Sequence, residues 1–347
     1  MPRAPHPVSR IKAITGFPWW LAQLFTGAKS FKDNPLIGSH RLNRWGLHAL
    51  RVRVAHSLAA RRRRRMEARI APEHRAAFAR DGFVRVDNVL PEAEFEALRD
   101  RLFAAEMPAR EMLQGDTITR RIAIDPELLG AVPALRALLA SPLWSGLTRY
   151  VASFDSEPVH YIQTILTHRA DAPLDPQTHL HADTFHPTMK AWYFLTDVAE
   201  DEGPFCYVPG SHRITPERLA WEKAKSEAAP HGIDHLSARG SLRITPDEVA
   251  ALGLPPAQSF AVPANTLIVA DTFGFHARGL AARPSCRIEI WAYGRRNPFL
   301  PWKGLDPLSL PGIAERRVGW MWFARDRFEK WIGQPWKSRG RMKPGSS

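Results

Sequence analysis

The chain has 347 residues, 44% of them hydrophobic, and a formal net charge of +13 at pH 7. This length allows one large core or two modest ones, and the composition excludes a fibrous or a fully disordered protein. Cys206 and Cys286 are the only cysteines. A disulfide framework is therefore excluded, and we expect both residues to pack in a protein from a reducing compartment.

The positive charge lies at the two ends of the chain. Residues 1–65 contain 14 Lys or Arg against the single acid Asp33, so this segment alone carries the net charge of the whole protein. Residues 315–343 add nine bases against three acids, which leaves the middle of the chain net acidic. The charge distribution therefore predicts two basic terminal segments on either side of a net acidic central domain.

The N-terminal arm, residues 1–65, combines charge with apolar residues. The apolar residues recur at helical spacings of three and four, with arginines beside them: Leu47, Leu50, Val54 and Leu58, flanked by Arg44, Arg51 and Arg53. The longest uncharged run, 13–28, is too short and too polar to span a bilayer. We therefore expect a helix in the membrane interface, with Arg61–Arg65 on anionic headgroups at about 1 kcal/mol per charge. A solvated arm, a helix packed on its own domain and a cleaved transit peptide are the alternatives.

Residues 66–300 have the pattern of a compact domain. A helix, a strand at 82–86 and a helix beginning at Pro91 come first. Short runs rich in β-branched and aromatic residues then predict strands at 158–166, 191–197, 205–208, 259–262, 266–270 and 286–293. Many short strands with long connections favour a double-stranded β-helix, a jelly roll with flanking helices. We interpret 213–255 as a helical insertion and 301–347 as a basic aromatic extension.

Three histidines and an aspartate lie within eight positions in HLHADTFH, residues 179–186. In an extended strand, residues two apart project from the same face, so His179, His181 and Asp183 point one way. At about 3.3 Å per residue, His179 and Asp183 are about 13 Å apart and cannot share an ion. His181 with Asp183 would supply two ligands of a facial triad on Fe(II), whereas His179 with His181 would suit a zinc or cupin-type site. His186 is expected at the surface or behind the ligands.

A third ligand must come from another part of the chain. His276 is the candidate, because it follows a predicted strand and a turn within residues 265–293. With His181 and Asp183 it would complete a triad that leaves three open positions on Fe(II).

Arg287 lies eleven residues after His276, inside the next predicted strand and among apolar residues. A buried, unpaired guanidinium is costly, so Arg287 needs a carboxylate partner. Glu289, two residues later and on the same face, is one candidate. The alternative is an external carboxylate held in a bidentate contact.

The order of these elements resembles the phytanoyl-CoA dioxygenase family of Fe(II)/2-oxoglutarate oxygenases. The elements are the HxD at 181–183, the strand after it, GPFCYVPGSH at 203–212, and a distal histidine with an arginine eleven residues later. Together they span roughly residues 75–295. Four separated elements in the right order make the resemblance specific.

The resemblance implies roles for six residues. His181, Asp183 and His276 match the iron ligands, and Arg287 matches the residue that binds the distal carboxylate of 2-oxoglutarate. Gln163 and Trp192 fall where this family contacts the cosubstrate. Fe(II), 2-oxoglutarate and O₂ are thus implied, with oxidative decarboxylation to succinate and CO₂ driving oxidation of the substrate. Family members that halogenate lack the carboxylate ligand, so Asp183 favours hydroxylation.

The sequence therefore predicts a dioxygenase that hydroxylates an unactivated C–H bond of a lipid or lipid-linked small molecule. The basic arm predicts a cytoplasmic location, peripheral to the inner face of a membrane. One alternative is a nucleic-acid-directed oxygenase, for which tryptophans interleave with the C-terminal bases, although nucleic acid is not the expected partner. The other is a non-catalytic membrane-surface binding module on a jelly roll. The oligomeric state does not follow from the sequence.

Overall fold

The computed structural model describes residues 10–346, and the side chains of residues 16–346. Its strands are β1 (Phe83–Val86), β2 (Met107–Gln114), β3 (Thr117–Ala123), β4 (Val159–Leu166), β5 (Met189–Phe194), β6 (Phe205–Tyr207), β7 (Gln258–Phe260), β8 (Leu267–Asp271), β9 (His276–Arg278), β10 (Cys286–Gly294) and β11 (Lys337–Met342).

The helices surround these strands. They are α1 (Arg10–Gln23), α2 (His40–Arg44), α3 (Leu47–Arg64), α4 (Pro72–Asp81), α5 (Glu92–Ala104), α6 (Pro126–Ala131), α7 (Pro133–Ala140), α8 (Pro142–Ala152), α9 (Pro216–Ala228), α10 (His235–Ala238), α11 (Pro246–Ala251), α12 (Arg317–Arg327) and α13 (Glu329–Ile332).

Within residues 10–346 the strands form two antiparallel sheets. The major sheet has eight strands in the order β1-β8-β5-β10-β4-β3-β2-β11, and the minor sheet has the order β7-β6-β9. Strands distant in sequence are neighbours in both sheets, as the crossing connections of a jelly roll require. The predicted fold class is confirmed.

One apolar core lies between the two sheets. Trp192 and Phe194 of β5 meet Phe205 and Tyr207 of β6 and Phe260 of β7. The rings of Trp192 and Phe205 lie 4.2 Å apart between centroids. Each such side chain contributes roughly 1.5–3 kcal/mol through burial, so this core fixes the distance between the sheets.

The second core lies between the major sheet and the helices on its outer face. On α5, Phe95, Leu98 and Leu102 recur at spacings of three and four and are about 1% exposed. Because both faces of the major sheet are covered, β4 has seven consecutive buried residues instead of an alternating pattern.

The hairpin of β2 and β3 is not predicted from the sequence, because charged residues stand at buried positions of both strands. The structure pairs them: Arg120 and Glu111 form a buried ion pair at 2.7 Å. β11 has no apolar signal at all and is held as an edge strand by its pairing with β2. The C-terminal residues 301–346 are thus part of the same fold, and Trp322 lies 6.1 Å from Tyr161 between ring centroids.

Residues 24–65 of the N-terminal arm are also packed on the domain, which is one of the alternatives that the sequence leaves open. α3 turns Val52, Ala55 and Ala59 inward against the domain. The predicted apolar face is on the other side, where Leu50 and Val54 are exposed. The predicted apolar face is therefore left partly uncovered by the domain, and its location in a membrane interface stays a prediction.

Three arginines of α3 bind the domain, although the sequence predicts them on a solvated or membrane-facing side. Arg51 is buried and donates to backbone carbonyls, as described below. Arg62 is 1% exposed and donates to the carbonyls of Ser153 and Pro298. Arg63 pairs with the buried Asp271 at 2.9 Å. Of the run 61–65, Arg61, Arg64 and Arg65 remain exposed.

The helices of the predicted insertion, α9 to α11, lie between β6 and β7 in the chain. α9 contacts α2 and α3. Glu222 of α9 lies 2.8 Å from His48 of α3, and Arg218 pairs with the same carboxylate at 3.0 Å. This buried cluster attaches the arm to the insertion, so the two segments form one layer beside the pocket described next.

Candidate metal centre

Backbone pairing brings the predicted ligands together. His181 and His276 form an isolated antiparallel bridge, in which each backbone N–H donates to the other residue's carbonyl at 3.0 Å. Their rings therefore lie side by side, with centroids 4.4 Å apart. The segment is not the regular strand that the sequence predicts, because the chain bends after His181. The backbone N–H of Asp183 donates to Thr272 at 2.9 Å, which fixes the carboxylate beside both rings.

The three ligating atoms converge on one point. Oδ1 of Asp183 lies 3.7 Å from Nε2 of His181 and 3.7 Å from Nε2 of His276. The ligating atoms of the three residues all lie within 4.8 Å of one another. Two imidazoles and one carboxylate on the same side of a pocket are the donor set of a non-haem Fe(II) centre with open positions.

The hydrogen bonds of the two rings select the tautomer that can bind a metal. His181 donates its Nδ1 hydrogen to the carbonyl of His179 at 2.8 Å, and His276 donates to that of Gly274 at 2.9 Å. Each Nε2 therefore presents a lone pair. Nε2 of His276 is buried and has no hydrogen-bond partner among the described residues. A bound cation would satisfy this atom, so the residues fit the metal that the resemblance implies.

The charges of the three residues also suit a cation. Burial lowers the pKa of His276 to about 4 and that of His181 well below its ordinary value, so both rings are neutral at pH 7. Burial would raise the pKa of Asp183, but the ammonium group of Lys190 outweighs it and holds that pKa well below the usual range. A carboxylate between neutral imidazoles is the protonation state that divalent metals require.

The other two histidines of the HLHADTFH stretch stay outside this cluster. The side chain of His179 is exposed, and it contributes only its backbone carbonyl. A His179–His181 pair is thus not formed. His186 is 1% exposed and donates from Nδ1 to the carbonyl of Pro187 at 3.0 Å. A surface location for His186 is therefore wrong.

Arg287 lies on β10 with Glu289 beside it. The Arg287–Glu289 ion pair, one of the two alternatives that the sequence leaves open, is formed. Nε of Arg287 lies 3.0 Å from Oε2 of Glu289, which is fully buried. Arg287 also donates from Nη1 to the carbonyl of Gly203 at 2.7 Å. Its guanidinium nevertheless lines the pocket that contains the ligands. Glu289 therefore neutralises part of the charge of Arg287, and the guanidinium is still available to a bound carboxylate. Binding of the 2-oxoglutarate carboxylate by Arg287 stays a prediction.

A polar row crosses three neighbouring strands beside Arg287. Strand register places Arg121 of β3 and Glu289 of β10 on either side of Gln163 of β4. The amide of Gln163 donates to Glu289 at 2.7 Å and accepts from Nε of Arg121 at 3.0 Å. Gln163 and Trp192 both line the pocket, although their contact with a cosubstrate stays a prediction.

Arg121 is not among the site residues that the sequence predicts, because the β2–β3 hairpin is not predicted. Its guanidinium lies over three rings, at 4.2 Å from Trp291, 4.4 Å from Trp336 and 4.9 Å from Tyr161. Burial lowers its pKa to about 10, so it stays charged at pH 7. Among the described residues no carboxylate pairs with Arg121. A charged group held by aromatic faces and left without a counter-ion is a candidate for binding an anionic ligand.

The opposite wall of the pocket comes from the arm. Lys29 lines the pocket, and its Nζ donates to the backbone carbonyl of Asp183. Nζ of Lys190 lies 2.6 Å from Oδ2 of Asp183. Burial lowers the pKa of Lys29 to about 8 against the opposing effect of Asp183, and Arg295 and Lys190 lower it further. Lys190 is two residues before Trp192, a spacing that could have predicted it as a pocket residue. Nothing in the sequence predicts that Lys29 lies in the pocket.

Comparison with protein families matches residues 78–248 to the phytanoyl-CoA dioxygenase family. The matched residues include His181, Asp183, Gln163 and Trp192 but end before His276. This match confirms the resemblance predicted from the sequence. A comparison with curated protein sequences finds no match.

Several solved structures are similar. SnoN, a non-heme alpha ketoglutarate dependent epimerase from nogalamycin biosynthesis, is 22% identical with a TM-score of 0.42, covering 64% of this chain and 81% of that chain. HygX from Streptomyces hygroscopicus, with nickel and 2-oxoglutarate bound, is 18% identical with a TM-score of 0.41, covering 65% and 87%. EctD from S. alaskensis, with bound Fe, is 17% identical with a TM-score of 0.38, covering 71% and 85%.

Proposed function

Given that residues 78–248 belong to the phytanoyl-CoA dioxygenase family of iron- and 2-oxoglutarate-dependent enzymes, we propose that this chain hydroxylates an unactivated C–H bond of its substrate at His181, Asp183 and His276. The observation that carries the proposal is the convergence of one carboxylate oxygen and two Nε2 atoms at one end of a pocket. Asp183 occupies the position that halogenating members of the family leave free for halide, which supports hydroxylation.

The chain's own residues hold and orient the reactants. His181, His276 and Asp183 would bind Fe(II) and leave open positions toward the pocket. Iron bound there would couple the oxidative decarboxylation of 2-oxoglutarate to oxidation of the substrate. The carbonyls behind each Nδ1 keep the rings aimed, and Trp192 and Phe205 exclude water from one side.

Two cations of the sheet are available for the distal carboxylate of 2-oxoglutarate. Arg287 has Glu289 as a partner and would retain part of its charge for the cosubstrate. Arg121 has no carboxylate partner among the described residues and is preorganised by the surrounding rings. We propose Arg287 as the binding residue and Arg121 as a second contact, with Gln163 connecting the two through Glu289.

The experiment for the proposed function measures succinate formed from 2-oxoglutarate by purified protein under air, with Fe(II) and ascorbate. Turnover should require Fe(II) and stop when His276→Ala replaces the ligand. Redox-inert Mn(II) should bind the wild type and block turnover. If succinate forms equally well without iron, or in His276→Ala, the assignment of the centre is wrong.

We further propose that the substrate is a lipid or a lipid-linked molecule presented at an anionic membrane surface. No helix within the described residues is both long and apolar enough to span a bilayer. The arm exposes large aromatic side chains, namely Phe17, Trp19, Phe25 and Trp45, which are between 49% and 75% exposed. Phe25 is four residues from Lys29, so this surface adjoins the pocket. Exposed aromatic and arginine side chains are those that interfacial segments use.

Deletion of residues 1–65 does not test this proposal, because it also removes the buried Val52 and Arg62. Point substitutions of exposed residues are suitable. The variant Trp19→Ser, Phe25→Ser, Trp45→Ser should co-sediment less with anionic vesicles, and binding should weaken at high salt. Trp331→Ser, at an 87% exposed position near the C-terminus, is the matched control. Equal binding of both variants, or binding indifferent to anionic lipid, would rule out this surface.

A further inference from the structure

The pocket wall carries more positive charge than the acids of the chain neutralise. Among the described residues Asp183 is the one acidic side chain that lines it, whereas six basic side chains do so: Lys29, Arg121, Lys190, Arg278, Arg287 and Arg295. Arg278 is paired with Asp175, and Arg287 with Glu289. The surplus charge therefore lies on the other four cations.

Two of these cations depend on Asp183 alone. Lys190 pairs with its carboxylate at 2.6 Å, and Lys29 donates to its backbone carbonyl. When the carboxylate binds a metal, its charge is shared with the cation, so Lys190 loses part of its compensation. Lys29 contacts only the backbone carbonyl and has no carboxylate partner among the described residues. Clustered like charges in a partly buried pocket are unfavourable unless an anion lies between them. The metal-bound pocket would therefore be stabilised by an anion in addition to the carboxylate of Asp183.

Arg295 extends this positive region to the mouth of the pocket. It is exposed, and it donates from Nη2 to the carbonyl of Gly27 at 2.8 Å. None of the described carboxylates pairs with it. Lys29 and Arg295 both line the metal pocket of about 360 Å³ and also an outer groove of about 510 Å³. The two cations therefore stand where a bound molecule passes from the groove toward the metal.

The outer groove has a mostly apolar surface that also carries polar side chains, namely Gln23, Ser30, Asn34, Arg239 and Ser241. Its one acidic side chain among the described residues is Asp33, which accepts a hydrogen bond from Ser30 at 2.8 Å. The 2-oxoglutarate carboxylates are accounted for on the sheet wall, by the metal and by Arg287 with Arg121. Lys29 and Arg295 are not assigned to the cosubstrate and remain available for the second substrate.

We infer that the substrate carries an oxyanion, a carboxylate or a phosphate group, that Lys29 and Arg295 bind at the mouth of the pocket while the reacting carbon lies at the metal. This inference deepens the proposed function and rests on it. Lys29 lies outside residues 78–248 that match the family, so the arm supplies part of the substrate specificity. The groove would then hold the remainder of the molecule.

Arg51 is the positioning residue for Lys29. Its guanidinium donates to the carbonyls of Leu24, Thr26 and Ala28, at 3.0, 2.9 and 2.7 Å. These bonds shape the segment that ends at Lys29. On the other side Gly240 packs so closely that a Cβ there would lie 2.3 Å from the carbonyl oxygen of Lys29. The ammonium group is therefore held at the mouth by backbone on both sides.

The test uses full-length protein loaded with Mn(II) and saturated with 2-oxoglutarate, and inorganic phosphate as the probe. Mn(II) shortens the ³¹P relaxation time of phosphate that binds nearby, so the readout reports binding and location without turnover. We expect saturable relaxation enhancement in the wild type. Lys29→Met and Arg295→Met should each weaken phosphate at least about tenfold, as loss of one charge-assisted contact does. Lys330→Met, an exposed lysine remote in the chain, is the control.

Arg295→Met keeps the test decisive if Lys29→Met fails to fold, because Arg295 is exposed. Repeating the titration with ¹³C-labelled acetate distinguishes a carboxylate preference from a phosphate preference. A short-chain phosphatidic acid distinguishes a lipid headgroup from a free anion, since only the lipid should also lose affinity in Trp19→Ser, Phe25→Ser.

Two results would overturn the inference while the proposed function stands. One is Mn(II) and 2-oxoglutarate binding normally with no relaxation enhancement of either oxyanion. The other is enhancement that is equal in the wild type, Lys29→Met and Arg295→Met, because the anion would then bind elsewhere near the metal. Failure of Mn(II) itself to bind would refute the proposed function first, and this inference with it.

Discussion

The metal pocket has two walls that are held in different ways. The sheet wall consists of β3, β4, β10 and β5, whose register places Arg121, Gln163 and Glu289 in one row. The arm wall is residues 24–31, a segment without a regular strand or helix that contributes Lys29 to the pocket lining. It is held by side chains that donate to its carbonyls, chiefly Arg51, with Arg295 and Asn297 on the other edge.

Because the two walls are held differently, catalysis and substrate selectivity should depend on different parts of this molecule. A ladder of backbone hydrogen bonds survives the replacement of any one side chain, so the sheet wall holds its geometry while its side chains change. The arm wall depends on a few side chains, each of which serves several carbonyls. We therefore expect substitutions on the sheet wall to remove catalysis and substitutions on the arm wall to alter substrate binding and local stability.

The largest effect should follow loss of a metal ligand. His181→Ala, Asp183→Ala and His276→Ala should each weaken Fe(II) binding and reduce succinate formation to background, since each substitution removes one donor of the facial triad. Metal content after dialysis and single-turnover succinate measure both effects. His179→Ala is the control and should keep iron and activity. Loss of iron from His179→Ala with retention in His181→Ala would reverse the assignment.

The next effect tests which cation of the sheet wall binds the cosubstrate. Arg287→Ala should raise the 2-oxoglutarate concentration for half-maximal turnover about 10- to 100-fold, because a charge-assisted contact contributes about 1.5–3 kcal/mol. Fe(II) binding should persist. Arg121→Met should give a smaller increase of the same kind. If Arg121→Met has the larger effect and Arg287→Ala the smaller, then Glu289 neutralises Arg287 and the two roles are exchanged.

The arm wall is tested by Arg51→Met. The substitution leaves three carbonyls without their donor, and each buried unsatisfied group costs about 1–3 kcal/mol, partly relieved by water. We expect the free energy of unfolding to fall by about 2–4 kcal/mol and proteolysis to increase within residues 24–31, while Fe(II) binding remains. Arg53→Met, exposed on the same helix, is the matched control. Equal stability of the two variants would show that other contacts hold this wall.

The smallest expected effect is the dependence of stability on pH that comes from a titratable group behind the sheet wall. Behind the sheet wall, His160 of β4 accepts a hydrogen bond from Nε1 of Trp144 at 3.2 Å. Burial lowers its pKa to about 3. The unfolded chain, with a histidine pKa near 6.5, then binds more protons than the folded chain between about pH 6.5 and 3. The stability contributed by His160 is therefore complete above that window and is lost as pH falls through it.

At pH 5 this loss should amount to about 2 kcal/mol relative to pH 8. Urea denaturation of metal-free wild type and His160→Gln at both pH values measures it. Glutamine can accept the same hydrogen bond without titrating, so the variant should lose less stability between the two pH values. An equal loss in both proteins would assign the acid sensitivity to other buried histidines, such as His212, whose pKa burial also lowers to about 3.

Much of the fold and the centre follows from local sequence. Strands β4, β8 and β10 are found because their β-branched and aromatic residues are buried on both faces. His181 with Asp183, and His276 with Arg287, are recognisable because their spacings are short and their chemistry is specific. Hydrophobic patterns fail for β2, β3 and β11, where ion pairs such as Arg120–Glu111 replace apolar contacts.

Only the tertiary structure decides which surfaces of the terminal segments meet the domain. The sequence predicts Arg51 and Arg62 as solvated charges, since a lone guanidinium is costly to bury, yet both are buried because backbone carbonyls from distant segments accept their hydrogen bonds. Lys29 and Asp183 are 154 residues apart and meet for the same reason. Carbonyl acceptors exist at every residue and leave no mark in a sequence, so contacts of this kind appear only once the chain is folded.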